Sequence, residues 1–493
     1  MRILVTGGSG IVGVATINAL VRRGHEVRLL CRHADREVGQ WGHGVEAWPG
    51  DITIPESIEG AADSCEAVLH IAGIIEEHPP KRTYLRVNVE GTRNVVEEAA
   101  RAHARRFVYV SSLAAQRGKS AYHKSKYAAE SFVSRFRGEW CVVRLGNVYG
   151  PGDFVVSVLL RTLRITPAVP TVDGGRQPFQ PIWHCDAGEA LAAIIAGGGG
   201  AASILEVAGP ERTSMSDLLD RFSKLTGRHP LRVPVPSKVA DVSVRAAEAA
   251  GIHLPLNAAE LTMLLEHNVV EHPDHNALPR LLDRPATNLD EGLAELVDAQ
   301  PEQTPAEGTG GLKQRRIWVD IDAPNCDLPT LYHQFRTHLG RFVPVRSAGE
   351  PGTVGVIELG STITLALPLR GNVQVRVEQC AGHSITLSTL AGHPLAGAVH
   401  FRFSPRGSGI RFEIEVFDRA ATLIDQAIMR LGGDLAQRRT WLETAGRVLE
   451  TSGGESSEGV RHESKWLDED EAADVEAWLL RLIQRRKRGQ ENA

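Results

Sequence analysis

Two residues able to move a proton stand four apart in AYHKSKY: Tyr122 and Lys126. On a helix that spacing puts both side chains on one face. A phenol ordinarily titrates at about 10 and is a poor acid or base at neutral pH. A neighbouring ammonium, or any further cation beside it, favours phenolate and lowers that value. Tyr127 has no lysine four residues on. Ser111 and Ser112 come about ten residues before Tyr122, and either hydroxyl can donate to a reacting oxygen. His184 and Cys185 suggest a nucleophile pair. As neighbours in an expected strand they point to opposite faces, so both are read as structural. His70 closes a strand and is read as a packed histidine.

These side chains need a scaffold, and the first residues supply its corner. Arg2–Thr6 is an apolar, β-branched run and reads as a strand. Gly7, Gly10 and Gly13 follow, and Ile11–Arg23 has helical apolar spacing that stops at Gly24. A strand, a glycine turn and a helix N-terminus let backbone approach a pyrophosphate and present N–H donors to it. His25–Cys31 is a second strand ending in Cys31-Arg32. An acidic residue there would accept from a ribose 2′-OH and favour NAD. Arg32, with His33 and Arg36 close by, can instead pair with a 2′-phosphate, so NADP is expected and NAD is the alternative. Further strands are expected at Val45–Trp48, Ala67–Ile71 and Arg106–Ser111, and helices at Tyr84–Ala104 and Tyr122–Arg137. This alternation argues for a parallel sheet covered on both faces.

TGGSGIVG, the Gly50-Asp51 pair, HIAG, NVEGT at Asn88–Thr92, YVSS and Tyr122-His-Lys-Ser-Lys126 occur in the order of the short-chain dehydrogenase/reductase superfamily, which the chain resembles over roughly residues 1–300. RLGNVYGPGD at Arg144–Asp153 and PIWHCDAGEAL at Pro181–Leu191 resemble its extended, epimerase/dehydratase-like branch. The resemblance implies an α/β Rossmann-type, doubly wound parallel sheet. It implies an NAD(P)-dependent oxidoreductase passing hydride between nicotinamide and a carbonyl or secondary alcohol, or a sugar-nucleotide epimerase or dehydratase with transient oxidation. By the same resemblance Tyr122 is the acid/base on the substrate oxygen. Lys126 lowers its pKa and holds the nicotinamide ribose. Ser112, directly before the LAA-type segment, donates to the substrate oxygen, with Ser111 its rival. Asn88 braces the site and holds a water. The implied cofactor contacts are Gly7, Ser9, Gly10, Ile11, Val12, Gly13, Arg32, Asp51, Ile52, Ala72, Gly73, Tyr122 and Lys126.

Cys31-Arg32, LTMLLEHNVVEH at Leu261–His272 and RPATNLDEGLAEL at Arg284–Leu296 are similar to atypical members related to the accessory subunit of respiratory complex I. That similarity implies a rival, non-catalytic nucleotide-binding protein with a structural or redox-sensing role. For the substrate, Arg161, Arg164 and Arg176 are candidates to meet a sugar diphosphate. The apolar content of Phe154–Leu163 and Ile165–Val172 equally suits a lipid-like molecule.

Ala299–Gly311, rich in Pro, Gly and polar residues, reads as a linker. The expected layout is a nucleotide-binding domain over 1–300, a linker over 301–314, a second domain over 315–452 and a tail over 453–493. The second domain begins with a strand, Arg316–Ile321, and a helix, Asp327–Gly340. Six strands follow, at Thr353–Leu359, Thr362–Leu367, Asn372–Cys380, His383–Leu390, Ala396–Ser404 and Ile410–Phe417. A long helix, Arg419–Leu449, closes it. This order, and GHPLAGAVHFRF at Gly392–Phe403, resembles the α+β helix-grip fold of START-type lipid-transfer domains and polyketide cyclases. The resemblance implies an apolar cavity between sheet and helix that could hold an apolar substrate. Thr451–Ser464 is Ser/Gly/Glu-rich and expected to be disordered. Asp468–Arg488 reads as a helix whose stripe of Val475, Trp478, Leu479, Leu482 and Ile483 can dock on a partner, a sister copy in a homodimer, or its own chain.

The bulk properties exclude several classes. The 493 residues call for several domains, and 42% hydrophobic content fills ordinary cores. A net charge of −5 gives no general attraction to nucleic acid or anionic membrane. Six scattered cysteines without a CxxC pair suit a reducing, cytoplasmic setting and argue against a metal site. No signal peptide is expected, because the opening residues read as a strand. The longest apolar run, Ala190–Leu205, holds Gly197–Gly200 and falls short of the roughly 20 residues a membrane span needs.

Overall fold

The computed structural model describes residues 1–41, 44–249, 262, 266–347, 357–367 and 371–491. The chain divides into two compact units: residues 1–159, 168–221 and 231–296 form one, and 160–167, 222–230 and 297–493 the other.

The first unit is built on strand β1 (Arg2–Thr6), helix α1 (Ile11–Arg22), β2 (Glu26–Cys31), β3 (Val45–Pro49) and β4 (Ala67–His70). These are followed by α2 (Gly91–Arg101), β5 (Arg106–Ser112), α3 (Ala121–Val133), β6 (Glu139–Leu145), α4 (His184–Ala193) and β7 (Ser203–Val207). The seven strands lie in the order β7-β6-β5-β4-β1-β2-β3, all parallel. Val5 stands opposite Leu29 on one side and Leu69 on the other. Strand order reverses between β1 and β4, and ligands of such sheets bind outside the carboxyl ends at that reversal.

Alternation along each strand sends neighbouring side chains to opposite layers. Ile3, Val5, Leu29, Leu69, Val108 and Val143 face one core, packed against Ile17 and Leu20 of α1 and Leu191 of α4. Leu4, Leu30, Val68, Phe107, Tyr109 and Val142 face the other, against Val95 and Ala99 of α2 and Ala129 and Val133 of α3. Each large side chain fully buried here contributes about 1.5–3 kcal/mol. Helices α1 and α4 touch where Gly188 lacks a side chain: a Cβ there would lie 2.6 Å from the Ala15 carbonyl carbon.

The second unit is an antiparallel sheet with helices. Its elements are β8 (Thr309–Ile321), α5 (Leu328–Thr337), β9 (Arg346–Ser347), β10 (Thr362–Leu367), β11 (Gly371–Ala381) and β12 (Ser384–Thr389). Then come β13 (Leu395–Arg406), β14 (Gly409–Ala420), α6 (Asp434–Ser452), β15 (Arg461–Trp466) and α7 (Glu469–Glu491). The strand order is β9-β10-β11-β12-β13-β14-β8-β15. Phe335 and Phe342 pack with Phe401, Phe412 and Trp441 over one sheet face, joined by Ala445 and Val448 of α6.

Several expectations are corrected here. The linker expected over 301–314 is part of this unit: β8 begins at Thr309 and lies between β14 and β15. Glu302 is buried among Arg376, Arg486 and Lys487, which explains why a polar segment does not behave as a spacer. Thr451–Ser464, expected to be disordered, includes the end of α6 and the start of β15, whose Ser464 pairs with Arg315. The helix expected over Arg419–Leu449 is interrupted. Leu423–Ile428 is a separate short helix, and Gly432 adopts φ 132 before α6 begins. The apolar stripe of α7 docks on its own chain, with Leu479 and Ile483 against Ala398. Aromatic side chains fill the layer between sheet and helices. A cavity of about 570 Å³ lies near β8 and β15 and is lined by charged groups, including Lys313, Arg315, Asp418, Arg419 and Asp434, with Trp466. The strand expected at Thr353–Leu359 falls mostly outside the described residues, as do 250–261 and 263–265. No described helix is long and apolar enough to cross a membrane.

Candidate active site

The glycine corner is explained by close approaches. Gly7 has φ +73, and a Cβ on it would lie 2.6 Å from the Ala72 amide nitrogen, so β1 and β4 meet without a side chain between them. A Cβ on Gly13 would overlap the Gly7 carbonyl at 2.2 Å. Gly10 differs: only the Gly7 oxygen, at 3.6 Å, comes near its missing Cβ. No side chain caps the N-terminus of α1, and its first turn holds no acid. Ser9 and Gly10 are exposed, while Ile11 and Val12 are half-buried. Uncapped N–H groups beside open space fit a pyrophosphate. Arg32 is exposed just beyond β2.

Asp51 and Ile52 are engaged within the protein. Asp51 Oδ1 accepts from the Thr53 amide and hydroxyl, at 2.9 and 2.8 Å. Ile52 is buried in the α2-side core. Its carbonyl accepts from Asn94 Nδ2 at 2.9 Å. Both residues shape the loop by these contacts, a role their sequence pattern did not reveal.

Asn88 sits in a π-helical turn, Leu85–Glu90, leading into α2. Its Oδ1 accepts from the Ile74 amide at 2.8 Å. Its Nδ2 donates to the Ile74 carbonyl and to Ser125 Oγ, both at 3.0 Å. Ser125 in turn donates to the Tyr122 carbonyl at 2.6 Å. Asn88 thus joins the segment after β4 to the first turn of α3. Both amide hydrogens are committed, which fits bracing better than holding a water.

A second chain of bonds runs through His70, which is fully buried. Thr92 Oγ1 donates to the Asn88 carbonyl at 2.6 Å, so it must accept from His70 Nε2 at 3.0 Å. The Thr6 hydroxyl lies 2.6 Å from His70 Nδ1, and its oxygen accepts from the Ala72 amide at 3.3 Å. Burial, with Lys126 adding to it, pushes His70 down to about 3, so the ring is neutral and Nδ1 accepts from the Thr6 hydroxyl. The packed reading of His70 stands, with a connecting role added.

The reactive groups lie at the ends of β5 and α3. Ser111 Oγ donates to Glu130 Oε1 at 2.6 Å, and Glu130 also receives Arg144 Nη2 at 2.8 Å. Ser112 points to the opposite face by strand alternation. Lys126 is only 4% exposed, with Nζ 4.7 Å from the centre of the Tyr109 ring. A Cβ on Gly73 would lie 3.2 Å from both Lys126 Nζ and Asn88 Oδ1. Burial pushes Lys126 down to about 7, partly offset by Glu130. Burial, with Tyr84 adding to it, pushes Tyr122 up to about 12. The expectation that Lys126 lowers the phenol pKa is therefore not met by the chain's own groups.

His184 and Cys185 open α4 rather than lying in a strand, so they are not on opposite faces. The Cys185 sulfur is 3.6 Å from His184 Nε2. Burial pushes the thiol up to about 11 and the imidazole down to about 4, which disarms both as a nucleophile and base. Arg161 and Arg164 fall in the second unit. Arg164 is buried there, donating to Gln374 Oε1 at 2.8 Å and the Val297 carbonyl at 2.9 Å.

Residues 3–166 match the NAD dependent epimerase/dehydratase family. A ceramide reductase of Caulobacter vibrioides is 33% identical over 171 residues, covering 34% of this chain and 53% of that protein. A 3-beta-hydroxysteroid dehydrogenase of Mycolicibacterium neoaurum is 32% identical over 187 residues, covering 31% of this chain and 49% of that one. The chain spans about half the length of these curated relatives. Among solved structures, a Thermus thermophilus UDP-glucose 4-epimerase complexed with NAD aligns with TM-score 0.47 at 22% identity, covering 60% of this chain and 98% of the epimerase. The parallel sheet, its glycine corner and the sequence match together assign the N-terminal segment, residues 3–166, to the NAD dependent epimerase/dehydratase family.

Proposed function

We propose that the first unit is an NAD(P)-dependent oxidoreductase that reduces a carbonyl on a lipid-like substrate, or oxidises the corresponding secondary alcohol. One observation carries the reading: the nucleotide corner and the proton-handling residues meet at Ala72-Gly73. Gly7 packs on Ala72, and Gly73 leaves room that only Asn88 Oδ1 and Lys126 Nζ border within 3.2 Å. Gly7, Ser9, Gly10, Ile11, Val12 and Gly13 would hold a nicotinamide dinucleotide, which would supply or accept the hydride. Arg32 favours the 2′-phosphorylated form.

Tyr122, pushed up to about 12, is a proton donor at neutral pH, which suits carbonyl reduction. It donates to the substrate oxygen as charge gathers there, and Ser112 donates to the same oxygen. Lys126 in its ammonium form eases departure of that proton. Asn88 keeps the α3 turn against the segment after β4. The relatives' names, a ceramide reductase and a 3-beta-hydroxysteroid dehydrogenase, support a lipophilic substrate. The Tyr84 ring meets Tyr122 edge-on at 6.2 Å, and the next residue, Leu85, is exposed, giving the site an apolar neighbour.

The test is binding and turnover on steroid ketones, keto-sphingoid lipids and UDP-sugars. NADPH fluorescence should shift, with Arg32→Ala reducing the preference over NADH roughly tenfold. Tyr122→Phe should keep NADPH binding and lose roughly 10²–10⁴-fold in turnover. Equal turnover in Tyr122→Phe would remove the assigned acid/base. Non-exchanging NADP(H) with no turnover on any class would favour the structural, redox-sensing rival.

A further inference from the structure

Glu266 lies in the LTMLLEHNVVEH motif and has no part in the chemistry above. It comes from far along the chain, yet its carboxylate reaches the start of α3. There it accepts from the Ser120 amide at 2.6 Å, from the Lys119 amide, and from Ser120 Oγ at 3.0 Å. Its other partner is His123 Nδ1. His123 is buried, and its ring meets the Tyr122 ring edge-on at 5.1 Å.

The arrangement is built from both sides. On the α3 side, Ser120 is the N-cap, its oxygen accepting from the His123 amide at 3.3 Å. Gly118 passes so close that a Cβ would lie 2.6 Å from His123 Nδ1. On the other side, the segment after Glu266 is stitched down. Arg117 donates to the Val269 carbonyl at 3.1 Å and pairs with Glu271. The Gln180 amide donates to the Asn268 carbonyl at 3.0 Å. A carboxylate is the suitable group at this place, since several N–H donors and the positive end of the α3 dipole converge on it. Burial opposes its ionisation, and the Ser120 amide, His123 and the Lys119 amide outweigh that, holding it below the usual carboxylate range.

We infer that Glu266 is a positioning residue: it clamps Lys119, Ser120 and His123 so that the Tyr122 ring is held in one place. The inference rests on the reading of Tyr122 as the acid/base. Without Glu266, the buried Ser120 amide loses its acceptor and His123 Nδ1 is left with Ser120 Oγ, at 2.9 Å, so the pair that abuts Tyr122 loses the group that fixes it. Catalytic groups tolerate displacements of only about 0.5 Å, so a small shift at His123 reaches the chemistry.

The experiment labels the six tyrosines with ¹³C at the phenol carbon in the full chain and follows them by NMR. The Tyr122 signal is assigned by its loss in Tyr122→Phe. In Glu266→Ala that signal is expected to shift or broaden while the others hold. NADPH-dependent turnover of the best ketone should fall roughly 10–100-fold in kcat, with KM for NADPH unchanged. Glu266→Gln keeps an acceptor oxygen for the Ser120 amide. It should recover part of both effects, and serves alone if the alanine variant fails to fold. An unmoved Tyr122 signal in a folded variant overturns the inference. So does wild-type kcat in Glu266→Ala beside an inactive Tyr122→Phe. A Tyr122→Phe enzyme as active as wild type overturns instead the acid/base assignment underneath, whatever the NMR shows.

Discussion

Both units bury ionisable groups, and the candidate site of the first treats them differently from the charge network of the second. At that site Lys126, His70 and Tyr122 are driven toward their neutral forms by burial, with Glu130 opposing the shift at Lys126. In the second, buried charges are matched. Arg486 donates to Glu378 Oε2 at 2.7 Å and to Glu302 Oε1 at 2.6 Å, and Arg376 joins them. Arg315 is held between Asp418 and Asp434. An unmatched buried group keeps a proton equilibrium that chemistry can use. A matched one is fixed in its charged form and fastens elements together instead. Here the fastening holds α7 and the segment around Glu302 to the sheet.

Breaking a matched charge should have the largest effect. Arg486→Met leaves Glu378 buried with Ser388 as its remaining donor, at 2.6 Å. The expected loss is about 3–5 kcal/mol in denaturant unfolding of the second unit. Adding Glu378→Gln should return most of it; no recovery would mean the network is not what secures α7. Breaking an unmatched charge should leave the fold and remove function. Lys126→Met is expected to keep its unfolding midpoint within about 1 kcal/mol, while turnover falls roughly 10²-fold. A large stability loss would show that Lys126 is structural.

The pH dependence separates buried histidines from matched carboxylates. His70 ordinarily titrates at 6.5 and here at about 3, so the unfolded chain binds the extra proton in between. That contribution is complete above pH 6.5 and is lost as pH falls toward 3, at up to about 1.4 kcal/mol per pH unit. Glu302 is opposed by burial but pulled down to about 2 by Lys487, Arg376 and Arg486. Its contribution is present above pH 4.5 and is lost as pH falls toward about 2. Between pH 6.5 and 4.5, therefore, acid should weaken the first unit through His70 and His184 and the second through His393 and His400, before Glu302 begins to protonate. Between pH 7 and pH 5 the loss seen by urea unfolding should be about 2 kcal/mol smaller in His70→Gln than in wild type. An equal loss in both would place the acid sensitivity elsewhere.

Local patterns made much of the first unit legible. Apolar, β-branched strand runs, the Gly7-Gly10-Gly13 spacing and the Tyr122–Lys126 pair are all short-range, so they can be read without knowing what packs where. Five of the six expected meander strands in the second unit were legible for the same reason. The misses share another cause. Polar residues at 301–314 and 451–464 looked like spacers because their partners, Arg376, Arg486 and the edges of β8, lie far away in sequence. His184 and Cys185 were placed in a strand because Ile182 and Trp183 precede them. The helix begins at His184, directly after this two-residue strand, and so earlier than expected.

Residue order by itself determined that a nucleotide-type corner precedes a Tyr–Lys pair, because backbone freedom at glycine and the 3.6-residue helical repeat are local properties. Tertiary structure decided the rest of the site. It turned Ser111 toward Glu130, joined Thr6, His70, Thr92 and Asn88 into one chain of bonds, and brought Glu266 to His123. It also set the proton affinities, raising Tyr122 and lowering Lys126. The physical reason is that desolvation depends on everything that surrounds a group, and what surrounds these groups comes from many separate stretches of chain.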